Sequence, residues 1–181
     1  MKKIIFALII LLIFASCKCK QNNATPEVEN TQAMAQKMKT VCPENGKCTV
    51  EIFRNTSLEI KTDDTGAIYY NKIDNPNTSV ILYKYDRNVP KGLQDANYSE
   101  QIVFEINNNE TALNVSGKEL QKTKMLFGRF CFCRGAAGNF KVEDGNLILT
   151  QKNNEIKFSL DFKVTKVPQL INAVYETITL K

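Results

Sequence analysis

The chain has 181 residues, a formal net charge of +5, and neither histidine nor tryptophan. Without histidine there is no Ser–His–Asp triad, no Cys–His pair and no His-ligated metal site. The charge is mild and unclustered, so nucleic acid is not an expected partner, and the length suits one domain plus a tether.

Met1-Lys2-Lys3 opens the chain as a short basic segment, and an uncharged apolar run follows from Ile4 to Phe14. Ala15 and Ser16 then lead into Cys17, the order of a secretory signal. The run is shorter than the about 20 apolar residues that span a bilayer as a helix. Phe14-Ala15-Ser16-Cys17 resembles the lipobox of bacterial lipoproteins, with Phe in place of the commoner Leu. The resemblance implies cleavage after residue 16 and lipidation of the Cys17 thiol, with acyl chains such as palmitate anchoring the mature protein to a membrane. Residues 1–16 are thus expected as signal peptide and 17–40 as a lipidated tether or linker. Gln21 to Gln32 is polar, contains Pro26, and buries too little apolar surface to order itself. Met34, Ala35 and Met38 are placed to form one face of a short helical turn.

From residue 41 to 181 the period is two, the signature of strands. Val50 and Ile52 alternate with Thr49 and Glu51, and Leu58 and Ile60 with Glu59 and Lys61. Val80 to Tyr85 is nearly all apolar, as expected of a strand buried on both faces. Ile102, Phe104 and Ile106 alternate again, and the clearest case is Ile156, Phe158, Leu160, Phe162 and Val164. Val174, Ile178 and Leu180 close the chain. Asp144-Gly145 is a hairpin signal, and Asn153-Asn154 marks another turn. Residues 124–164 are therefore expected as a four-stranded antiparallel meander. The predicted fold is all-β, an antiparallel sandwich or an up-and-down barrel of about ten strands.

Cysteines carry the remaining chemistry. Export permits disulfides, and Cys42, Cys48, Cys131 and Cys133 are the candidates, with Cys19 left over. A three-residue hairpin loop Glu44-Asn45-Gly46, with Gly46 left-handed, sets Cys42 opposite Cys48; a two-residue loop does not. Cys131 and Cys133 on one strand share a face, with Phe130 and Phe132 on the other. At two positions along a strand, roughly 6.5 Å, they bridge each other poorly. The connectivities stay open: Cys42–Cys48 with the other two reduced or joined, or two cross-bridges between the segments. Structural bridges are the preferred reading, because exported cysteines usually staple; the rival is a thiol site, since Arg129 and Arg134 flank the second pair and cations lower thiol pKa values. Zinc is less well matched, because the spacers are five residues and one.

Asp63-Asp64 and Glu143-Asp144 are adjacent acids at turn positions, where solvation is the plain explanation. Tyr69-Tyr70 and Tyr83/Tyr85 are divided between core packing and an aromatic surface. Asp74-Asn75-Pro76-Asn77 reads as turn chemistry.

The lipobox, Cys42-Pro-Glu-Asn-Gly-Lys-Cys48, and Phe127-Gly-Arg-Phe-Cys-Phe-Cys-Arg-Gly135 together resemble a group of small lipoproteins from flavobacteria (Bacteroidota). The resemblance implies an envelope location and brings no activity with it, the group having none assigned. Lys18-Cys19-Lys20 lacks the acidic cluster resembling a surface-export signal in those bacteria, so the expected location is the outer membrane facing the periplasm. The expected function is a non-enzymatic binding or structural domain, without cofactor, held to the membrane by its lipid. The alternative is an envelope thiol-redox or metal-binding protein centred on Cys131 and Cys133.

Overall fold

A computed structural model describes residues 40–93 and 95–180. The expectations for the signal peptide, Cys17, Cys19, the tether, and the Met34, Ala35 and Met38 face lie outside the described residues. The described chain is all-β. Its strands are β1 (Gly46–Thr62), β2 (Ile68–Arg87), β3 (Tyr98–Asn107), β4 (Ala112–Ser116), β5 (Leu126–Cys131), β6 (Gly138–Lys141), β7 (Gly145–Lys152), β8 (Glu155–Phe162) and β9 (Ala173–Thr179). A 3-10 helix, Gly117–Thr123, separates β4 from β5.

All pairings are antiparallel. One sheet has the order β1-β2-β3-β5-β6, the other β4-β7-β8-β9. The apolar side of each strand faces the opposite sheet. Ile81, Ile102, Phe104 and Phe127 meet Leu147, Ile156, Phe158 and Leu160 in one continuous core. Phe104 packs edge-on against Phe158 at 5.3 Å between ring centroids, a favoured aromatic geometry. β8 shows the alternation in full: Ile156, Phe158, Leu160 and Phe162 are buried, while Lys157 and Asp161 are exposed. Asn153 and Asn154, at φ 54° and 60°, form the two-residue turn that joins β7 to β8.

The larger sheet also buries part of its outer face. Along the β1–β2 pair the register slips between Arg54 and Thr56, where Asn55 stands against Asn75 through Thr78. So Asp74-Asn75-Pro76-Asn77 does not reverse the chain. It is an insertion within one long strand, and such bulges bend the strand that carries them. The distal half of the pair curls over the outer face until Ile68 pairs with Asn139 of β6. Leu58, Val80, Val103 and Leu126 are buried beneath it. This explains the unbroken apolar run in β2: Ile81, Tyr83 and Tyr85 face the main core, and Val80 faces the second one.

Two local expectations are corrected. The 124–164 meander breaks between β6 and β7, which lie in different sheets. Asp144-Gly145 is a crossing between sheets and not a hairpin; Gly145 has φ 145°, and a Cβ there would stand 2.2 Å from the carbonyl oxygen of Asp161. Nor does a hairpin hold the first cysteine loop. Cys42 lies in coil ahead of β1, and Cys48 is paired with Tyr85 of β2. Asn45, at φ 59°, takes the left-handed position instead of Gly46.

Candidate functional site

The start of β1, the end of β2, the start of β3 and the end of β5 meet at one end of the larger sheet. The register sets Cys48 beside Tyr85, Tyr85 beside Glu100, and Glu100 beside Arg129. One step outward, Tyr98 stands opposite Cys131. Directly paired residues project to the same side, so these six side chains share the face turned toward the second sheet.

The structure joins Cys42 to Cys48 and Cys131 to Cys133. The first bridge, with α-carbons 5.8 Å apart, encloses a turn built against Tyr85. The Tyr85 hydroxyl donates to the Glu44 carbonyl at 3.2 Å, and a Cβ on Gly46 would fall 2.0 Å from the Tyr85 ring. The second bridge departs from the expectation of one uninterrupted strand. β5 ends at Cys131 and the chain bends at Phe132, so the two α-carbons come to 5.1 Å and the sulfurs join. Phe132, at the apex of this small ring, is 83% exposed. The two bridges are separated by three strand spacings, roughly 14 Å, too far to exchange with each other.

Behind Cys131 lies a polar network. Glu100 is fully buried, at 0% exposure. Its carboxylate accepts from the Tyr98 hydroxyl, from the Leu170 N–H at 2.8 and 2.9 Å, and from the Ile171 N–H at 2.8 Å. Arg129 donates from Nε to the Tyr98 oxygen at 3.3 Å and from a terminal nitrogen to the Ala136 carbonyl at 2.8 Å. The guanidiniums of Arg87 and Arg129 lie 4.2 and 5.2 Å from the Tyr98 ring centroid, within cation–π range. Burial, then the bond to Glu100, raises the Tyr98 pKa above its ordinary value. An open cleft of about 510 Å³ borders this group, its walls including Asp86, Arg87, Asp95, Phe130, Cys131 and Phe132.

A second polar cluster pins the curl. Glu105 accepts from the Ser57 hydroxyl at 2.7 Å, the Leu58 N–H at 2.8 Å and the Lys124 ammonium at 2.9 Å. Lys124 also donates to the Leu58 carbonyl and the Ser57 hydroxyl, each at 2.9 Å. Burial alone would raise the Glu105 pKa, but the bonds from Lys124, Ser57 and Leu58 outweigh it and hold it below the ordinary value. Ser57 spends its proton on Glu105 and is buried, so the cluster is an anchor and offers no nucleophile.

Neither Glu100 nor Glu105 stood out as a site residue in the sequence. For Glu100 a signal existed: the alternation of Ile106, Phe104 and Ile102, carried two residues further, puts its side chain inward. None of the adjacent acids, nor Tyr69, Tyr70, Tyr83 or Tyr85, lines the cleft beside Cys131. One Asp63 carboxylate oxygen caps the β1–β2 turn, accepting from both the N–H and the hydroxyl of Thr65 and from the Ala67 N–H, which lowers its pKa. Tyr83 and Tyr85 are buried in the core, and burial pushes the Tyr83 pKa up to about 12. Tyr70 accepts from Gln101 at 3.1 Å, and Tyr69 is exposed.

Among the described residues no group of three or more His, Cys, Asp or Glu side chains converges on a metal-sized site, and no helix is long and apolar enough to cross a membrane. No protein-family model, curated protein or solved structure matches the chain.

Proposed function

We propose that the chain is a cell-envelope lipoprotein, anchored through Cys17 in the outer membrane and facing the periplasm, whose β domain exchanges disulfides through Cys131 and Cys133. We read its architecture as a sandwich whose larger sheet curls toward a barrel. The observation that carries the exchange reading is the bridge across a single residue, with an exposed phenyl ring at its apex and a cleft at its side. In the chain-entropy account, closing a three-residue loop contributes about 1.6 kcal/mol, against about 2.4 kcal/mol for the seven residues from Cys42 to Cys48. The smaller ring is therefore the poorer staple, and an accessible bridge is the kind that thiols open. The Cys42–Cys48 bridge, wrapped on Tyr85, supplies the stapling.

Native protein equilibrated in graded glutathione buffers and quenched with a maleimide tests this. Cys131 and Cys133 are expected to open reversibly at a poise where Cys42 and Cys48 remain joined. Opening of both bridges together, and only as the domain unfolds, would overturn it. The second reading is a non-enzymatic binding domain. It is favoured by the exposed Phe132 at the cleft rim, since exposed aromatic surface suits partner contact.

A further inference from the structure

The cleft borders Cys131 specifically, and Cys133 is not part of its wall. Cys131 is held in the β5–β3 ladder, opposite Tyr98, whereas Cys133 lies past the bend, where its carbonyl accepts from the Ala136 N–H at 3.1 Å. Opposed side chains on paired strands have Cβ atoms about 5 Å apart. Cys131 thus abuts the ring on which both guanidiniums rest. Among the described residues neither guanidinium has a carboxylate oxygen within 4.0 Å. The charged or titratable groups near Cys131 include Arg87 and Asp86 of β2, Tyr98 and Glu100 of β3, Arg129 of β5, Asp95 of the β2–β3 loop, and Arg134, exposed in the turn after Cys133. Glu100 is committed to Tyr98 and to two backbone N–H groups. Asp86 is paired with Lys84 at 2.9 Å, so among the described residues both arginines are free of a direct ion pair, with Glu100 opposite Arg129 in the ladder and joined to it through Tyr98.

Resting on the exchange reading above, we propose that Cys131 is the sulfur attacked by the substrate, that the cleft receives a cysteine-bearing polypeptide, and that Arg87 and Arg129 hold the Cys131 thiolate when it is released. A substrate thiolate enters along the cleft and bonds to Sγ of Cys131. The Cys131–Cys133 bond breaks, and its electron pair leaves on Cys133, which takes up a proton. A second thiolate of the same polypeptide then attacks the first substrate sulfur. The substrate disulfide forms, and Cys131 departs as a thiolate beside the two cations. The substrate dithiol has lost two electrons, and the pair has gained them as a dithiol. The two substrate thiol protons are balanced by the one on Cys133 and one given to solvent or to Cys131. Because a thiol of lower pKa leaves faster, the cations accelerate the second step. A polypeptide is preferred over a small thiol because Phe130 and Phe132 line the cleft, and apolar side chains flanking a substrate cysteine cover rings that a small polar thiol leaves wet.

Oxidised full-length protein is mixed with a reduced one-cysteine peptide bearing Phe and Leu neighbours, or with glutathione, then quenched in acid, blocked with N-ethylmaleimide and mapped by mass spectrometry. The peptide is expected on Cys131 with maleimide on Cys133, formed at least several-fold faster than the glutathione adduct. A peptide mapped to Cys133 would overturn the assignment while leaving exchange intact; no adduct on either cysteine would remove both. Phe132→Ser should lower the ratio of the peptide rate to the glutathione rate, and an unchanged ratio would overturn the polypeptide. For the arginines, the Cys133→Ser chain is titrated with a chromogenic disulfide across pH 5–9. Adding Arg87→Gln should move the half-point for Cys131 reactivity upward, and Arg87→Lys should restore part of the shift. An unmoved profile in both would refute the role given to Arg87.

Discussion

Glu100 on β3 takes the backbone N–H of Leu170 with both carboxylate oxygens, at 2.8 and 2.9 Å, and so fastens the larger sheet to the segment that leads into β9. Glu100→Ala leaves the N–H groups of Leu170 and Ile171 and the hydroxyl of Tyr98 without their acceptor. Each orphaned buried donor costs about 1–3 kcal/mol; the Tyr98 hydroxyl and Ile171 N–H are buried and the Leu170 N–H is partly so, and a total loss of roughly 2–6 kcal/mol is expected. Urea unfolding measures it, and a midpoint close to wild type would show that the network contributes little.

Lys124 and Glu105 give a pH dependence of known sign. The Glu105 pKa is lower folded than in the unfolded chain. Its contribution is therefore complete above the ordinary carboxylate value and is lost as pH falls through the depressed folded value. Lys124→Met should lower stability at pH 7 and flatten the acid limb of the profile. Chemical denaturation at pH 7 and near pH 3 is the check; an acid limb as steep as in wild type would mean that other carboxylates produce it.

Gly145 allows no side chain. Its φ of 145° disfavours L-residues, and a Cβ would meet the Asp161 carbonyl at 2.2 Å and the Phe162 Cα at 2.8 Å. Gly145→Ala should cost about 2 kcal/mol or more. Thermal melting of the variant shows it, with a shift of several degrees expected and no shift counting against the crossing as described.

The two bridges should differ in structural weight. Replacing Cys42 and Cys48 together by Ser should destabilise by about 2 kcal/mol. The same exchange at Cys131 and Cys133 should cost less, because the loop is shorter. Denaturant midpoints of the two double variants decide it, and a larger loss at Cys131 and Cys133 would return that pair to a stapling role.

Cys17→Ser should abolish incorporation of labelled palmitate and leave the precursor uncut. Gel autoradiography of labelled cells measures both; labelling equal to wild type would remove the proposed anchor.

What could be read from the sequence was whatever a few neighbouring residues decide. The inward faces of β3 and β8 follow from alternation, and the Asn153-Asn154 turn follows from two residues that tolerate positive φ. The assignment of β6 and β7 to different sheets does not, because each has acceptable local partners on either side. The curl depends on Asn55 facing the insertion that begins at Asn75, which becomes visible only once β1 and β2 are aligned. The site was half legible. Cys131 and Cys133 announced themselves, but their union depends on a bend at Phe132 that no residue type there demands. Glu100 has its backbone partners about 70 positions away, beyond the reach of local pattern.

The Cys42–Cys48 bridge has a mechanical consequence. Thr40, just ahead of it, is attached to β9 through Tyr175, its N–H donating to the Tyr175 carbonyl at 3.2 Å and its hydroxyl accepting from the Tyr175 N–H at 2.6 Å. Tension applied from the N-terminal side first opposes these bonds, which can part singly. Beyond them the load reaches Cys42 and passes through sulfur to Cys48, bypassing the turn between. It enters β1 where that strand is already laddered to β2, so the pairing must yield as a row. The turn itself cannot be drawn out while the bridge is closed, and a reductant would lengthen the extensible part of the chain by the span from Pro43 to Lys47.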